Sequence, residues 1–179
     1  MNPLPLEHHI PALRRYARAL TGDTWAADDL VQDTLERACG KWRLWVVDSN
    51  LRAWLFTVMH NLYASQVRHS ARQSMGLAVD VEALADELQA PGAPPGQALD
   101  LQRCLLRLPP DQRAVLLLVS LEDLSYAEVA RITGVPVGTV MSRLSRARSR
   151  LQALLDAPAH SGDPAVKAVG AAATLRRLK

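Results

Sequence analysis

The stretch "ARITGVPVGTVMSRLSRARSRL", residues 130–151, decides how this chain is read. Placed on a helical wheel, Val140, Leu144, Ala147 and Leu151 gather on one side, while Thr139, Ser142, Arg143, Arg146 and Arg150 gather on the other. Arg148 stands apart from that polar face. An arginine-rich amphipathic helix is often no more than a solvated surface. The residues in front of it narrow the choice. Ala130, Gly134 and Val140 have the spacing of a helix-turn-helix: a small residue lets two helices approach, a glycine accepts the turn, and an apolar residue anchors the second helix. Hydroxyls and arginines at the start of that second helix then face where base edges and phosphates would lie.

Upstream of this motif the helical pattern continues. Pro110 or Asp111 suits the opening of a helix, and Ser125 with Glu128 three positions on spells a capping box. Residues 98–157 therefore read as four helices, the first over Leu99 to Leu106. Before them lies "GLAVDVEALADELQAPGAPPGQ", residues 76–97, with four acidic and no basic side chains, then Pro, Gly and Ala. It reads as a flexible linker with one helical turn around Glu82 to Leu88. Its r.m.s. span would be about 25 Å and its stretched limit roughly 70 Å.

Residues 1–75 show three more amphipathic helices. Leu13, Tyr16, Ala17 and Leu20 share a face, with Gly22 as a stop. Ala27, Leu30, Val31, Thr34, Leu35 and Ala38 form the next stripe, opposite Asp29, Gln32, Asp33 and Glu36. In the third helix Leu51, Trp54, Leu55, Val58 and Leu62 are expected to point inward. The fold class is thus all-α: two small helical domains joined by a linker, with residues 158–179 expected to form a mobile tail.

Composition excludes several functions. The net charge of +3 permits a nucleic-acid partner without requiring one. Cys39 and Cys104 have no companion at ligand spacing, and the five histidines (His8, His9, His60, His69 and His160) form no metal motif, so no cofactor or metal is expected. A nucleophile elbow and a phosphate-binding glycine loop are both missing, so an enzyme is not expected. The N-terminus lacks a signal-peptide pattern and no run reaches a membrane span of about 18 apolar residues, so a cytoplasmic location without direct membrane insertion is expected.

Three motifs in order carry a family resemblance that covers nearly all of residues 8–156. "DDLVQDTLERA" (28–38) resembles the polymerase-binding helix of region 2 in sigma-70 family initiation factors. "LRAWLFTVMHNLYASQVR" (51–68) resembles their −10 recognition and melting helix. "LPPDQRAVLLLVSLEDLSYAEVARITGVPVGTVMSRLSRARSRL" (108–151) resembles region 4, which reads the −35 element. These three motifs in this order, with a variable linker between, resemble the small extracytoplasmic-function (ECF) group of that family.

The resemblance implies core RNA polymerase and promoter DNA as partners. Asp29, Gln32, Asp33, Glu36 and Arg37 would dock on the β′ clamp helices, with region 4 near the β flap. Thr139, Ser142, Arg143, Arg146 and Arg150 would face the −35 duplex. Asn61 would hold an unstacked −10 base, with Arg68 and Arg72 also binding the −10 DNA. Phe56 and Tyr63 remain stacking candidates, Trp54 being expected in the core. An anti-sigma protein is a further implied partner. Met141 stands where many relatives carry a basic residue that reaches the −35 duplex, and "VRHSARQ" (67–73) is thin in Arg and Lys, so the resemblance fixes the class but not the promoter's strength or sequence. Trp42 and Trp45 suggest only packing. The alternatives are a free-standing helix-turn-helix regulator, which would not need the 23–72 block, and an adaptor that binds only protein.

Overall fold

The computed structural model describes residues 6–41, 50–74 and 95–156, and among these every regular element is helical. The linker's acidic part, Trp42, Trp45 and the tail from 157 lie outside the described residues. After a 3₁₀ turn at Glu7–His9, the helices are α1 (Ile10–Thr21), α2 (Thr24–Gly40), α3 (Leu51–Ser74), α4 (Pro95–Leu106), α5 (Pro110–Ser120), α6 (Tyr126–Thr133) and α7 (Val137–Asp156).

The first half is α1 on α2 and α2 on α3. The stripe Leu13, Tyr16, Ala17 and Leu20 is buried as the spacing predicts. Removing such side chains from water contributes about 1.5–3 kcal/mol for each large one. Gly22 ends α1 in the left-handed region, φ +75°, which costs a residue without a Cβ little. Asp23 then caps α2 by accepting from the Ala26 amide at 2.6 Å. Along α2, Ala27, Leu30, Val31, Thr34 and Ala38 are buried, with Leu35 packed at their edge. The Thr34 hydroxyl is satisfied by donating to the Leu30 carbonyl at 2.7 Å.

In the second half α5 and α6 pack on α7. Ser125 and Glu128 form the capping box in full, and Gly134 closes α6 at φ +67°. Val140, Leu144 and Ala147 anchor α7 in the core.

Two expectations shift. Helix α4 opens at Pro95 rather than Leu99, shortening the stretch 76–97 at its end. Proline suits that first position because its missing N–H would be unsatisfied there anyway. In α3 the buried residues are Leu55, Phe56, Met59 and Tyr63, while Leu51, Trp54, Val58 and Leu62 are only half-buried. The face is rotated because α3 is flanked on two sides: it packs on α2 within its own half and on α6 of the other. Contacts of α1 with α4 and α5 complete the union of the two halves.

Candidate nucleic-acid and polymerase interfaces

Helix α7 carries the first surface. Ser142, Arg146 and Arg150 are exposed, Thr139 is half-buried, and the Ser142 hydroxyl donates to the Thr139 carbonyl at 3.0 Å. Arg143 differs from its neighbours. Its side chain is 27% exposed and its Nε lies 3.1 Å from Asp111 Oδ2 on α5. Among the described residues no other arginine of α7 has an acidic partner. The face therefore presents excess positive charge beside two hydroxyls, a surface suited to phosphates and base edges. Arg148 is also exposed, beside Tyr126 and Met141 in a shallow groove away from that face.

The second surface is on α2. Asp29, Gln32, Glu36 and Arg37 are exposed and Asp33 is half-buried. Gln32 donates from Nε2 to Glu36 Oε1 at 2.9 Å. Asp33, Glu36 and Arg37 line a shallow cleft with Leu62 of α3, so the two helices share one rim. Such an acidic and amide-bearing face complements a basic partner.

The third surface, on α3, is only partly open. Asn61, Arg68 and Arg72 are exposed. Phe56 is 1% exposed and meets Tyr16 edge-to-face, ring centroids 5.3 Å apart at 88°. Arg52 lies over the same ring with its Cζ 5.6 Å from the centroid. Tyr63 is 6% exposed and its hydroxyl accepts from Arg113 Nη2 at 2.7 Å. The two stacking candidates, Phe56 and Tyr63, are thus interior, while Trp54, expected in the core, is half-buried and packed against it. Next to Asn61, His60 is held below its ordinary value by burial and by the charges of Arg143 and Arg68. His60 of α3 thus feels the charge of Arg143 on α7 because the two halves are packed together.

Sequence reasoning missed the polar cluster between the halves. Glu122, in the turn between α5 and α6, is buried against Arg15 and Arg52. Those partners are 107 and 70 residues away, so local sequence holds no signal for the cluster. No helix among the described residues is long and apolar enough to cross a membrane, and none of their His, Cys, Asp or Glu groups could hold a metal ion.

Comparison with known proteins matches both halves. Residues 6–60 fit the family described as the Sigma2 domain of PhyR, and residues 98–151 fit Sigma-70, region 4. The ECF RNA polymerase sigma factor EcfG of Rhodopseudomonas palustris (strain TIE-1) is 40% identical over 151 residues, covering 82% of this chain and 80% of the relative. The sigma factor RpoE of Bartonella quintana, solved in complex with the anti-sigma factor NepR, aligns with a TM-score of 0.74 at 38% identity over 86% of this chain and 95% of that one. CnrH, solved with the cytosolic domain of CnrY, aligns with a TM-score of 0.62 at 28% identity over 86% of each chain.

Proposed function

The chain belongs to the sigma-70 family of RNA polymerase sigma factors, in its ECF group, and from that premise we propose how its surfaces divide the work of initiation. The observation that carries the reading is the exposed arginine face of α7, set by a capped helix-turn-helix, on a chain that also has the region-2 helices. A free-standing operator-binding regulator has no use for those helices. Thr139, Ser142, Arg143, Arg146 and Arg150 read the −35 duplex from the major groove. Asn61 takes a −10 base from the opened strand, and Arg68 and Arg72 hold phosphates. Binding energy drives the melting and the polymerase performs the chemistry, so the chain needs no cofactor and is not itself an enzyme. The work is cytoplasmic. By likeness to RpoE with NepR, an anti-sigma protein covers the chain when initiation is off. Run-off transcription with purified core polymerase tests the whole reading.

Core polymerase docks on Asp29, Gln32, Asp33, Glu36 and Arg37 through the β′ clamp helices, and region 4 reaches the β flap. Asp29→Lys with Asp33→Lys reverses charge on an exposed face of α2. Competition for core against the unmodified chain should weaken by about tenfold or more, the equivalent of roughly 1.4 kcal/mol. Helix content and duplex affinity should stay the same. Equal competition would remove this face from the docking site.

For Asn61, the contacts exist only after the strands part. Asn61→Ala should spare the closed complex, reduce opening at a duplex −10 element and blur the preference for one base. On a template already mismatched there, opening should recover but base preference should not. Permanganate footprinting on both templates reads the two effects, and normal opening with intact preference would make Asn61 a structural residue.

A further inference from the structure

Glu122 is charged chemistry in an unusual place. Its side chain is 0% exposed, and the groups that satisfy its carboxylate come from the other half of the chain. Arg15 of α1 donates from Nε to Oε1 at 3.1 Å and from Nη2 to Oε2 at 3.0 Å. Arg52 of α3 donates from Nη2 to Oε2 and to the Glu122 carbonyl, both at 2.8 Å. The neighbouring Asp123 has φ +51°, the one non-glycine positive φ among the described residues, so the turn presenting Glu122 is held in a conformation that L residues rarely adopt.

Other ties cross the same seam. Arg113 of α5 donates to the Tyr63 hydroxyl, Asn50 donates from Nδ2 to Glu128 Oε1 at 3.0 Å, and Gln102 donates to the Ala19 carbonyl at 3.3 Å. Leu106 of α4 lies so close to Gly22 that a Cβ there would stand 2.5 Å from its Cδ1.

This closed form is incompatible with the proposed reading of two promoter blocks, on which the functional side of the inference rests. A compact chain of this length has a radius of gyration of roughly 16 Å. The −35 and −10 blocks lie about 25 base pairs apart, roughly 85 Å of duplex at about 3.4 Å per pair. The halves must separate to engage both.

We infer that the free chain holds itself closed through a latch in which Arg15 and Arg52 clamp Glu122, and that the closed form keeps the two promoter-reading halves from acting together. A charged latch suits a reversible device. Arg15 and Arg52 stay 53% and 34% exposed, so all three groups regain water when the halves part. Burying charges gains little over leaving them hydrated, whereas taking away one partner strands the others. The latch thus closes specifically and releases at low cost.

Small-angle scattering of the full chain tests it. At low salt the unmodified protein should be compact, and Glu122→Gln, which keeps the shape and removes the charge, should expand by roughly 5–7 Å in radius of gyration with unchanged helix content. Arg15→Gln with Arg52→Gln approaches the latch from the other half and should expand likewise, which keeps the test decisive if Glu122→Gln misfolds. Identical scattering of folded variants and the unmodified chain would overturn the latch. Binding of a promoter fragment carrying both blocks provides the second arm. If the open form is about a tenth of the free chain, unlatching should tighten that binding about tenfold. Expanded variants whose promoter binding is unchanged would overturn the inhibitory role while leaving the −35 and −10 assignments standing.

Discussion

Phe56→Ala is expected to remove about 3–5 kcal/mol of fold stability before any promoter is present. The ring is buried against Tyr16 and under Arg52, so its loss removes the transfer energy of the side chain and leaves a cavity in the first half. Small domains have only about 5–15 kcal/mol in hand, so the variant should unfold at much lower denaturant. Phe56→Leu retains much of the volume and should lose less. Urea unfolding followed by circular dichroism reads the difference as a shift of midpoint at constant slope. Full stability of Phe56→Ala with a defect confined to strand opening would instead make Phe56 a stacking platform for unpaired DNA.

Arg146→Ala should weaken −35 duplex binding by about 1–3 kcal/mol, or roughly 5- to 150-fold, with relaxed discrimination at one position if the guanidinium is bidentate to a guanine. Arg143→Ala should cost less. Arg143 must first give up Asp111, a half-exposed pair of the kind that contributes about 0–1 kcal/mol, and that exchange offsets part of what DNA returns. Titration over a salt series separates the two roles. A phosphate contact lowers affinity evenly across sequences and makes the salt slope shallower by about one. If neither affinity nor slope changes for Arg146→Ala, the face is merely solvated.

What was legible in the sequence follows from the range of the interactions. The α1 stripe, the Ser125–Glu128 capping box and the Gly134 turn depend on neighbours within four residues, and each is in the structure as the spacing predicts. The buried face of α3 was not legible. Periodicity fits one partner, but α3 packs on α2 and on α6, and burial follows the sum of the two. Phe56 and Tyr63 illustrate the consequence, since an aromatic that could stack on a base is equally suited to a core. The polar faces of α2 and α7 stand opposite their buried stripes as the wheel puts them, with Asp33, Thr139 and Arg143 only half-exposed, because those helices each bury one stripe. Glu122 was invisible for a different reason: a carboxylate between two helices reads as a solvated turn until arginines from the other half of the chain are brought to it.

Transcription from a promoter library with randomised upstream sequence, using purified core polymerase with and without this chain, tests the central claim most directly. Two short sequence blocks at a fixed spacing should be enriched among the transcripts only when the chain is present, and scrambling either block should abolish the transcript. The same transcripts in its absence, or tight binding to duplex DNA with no transcript at all, would contradict the assignment of this chain as the factor that directs polymerase to its promoters.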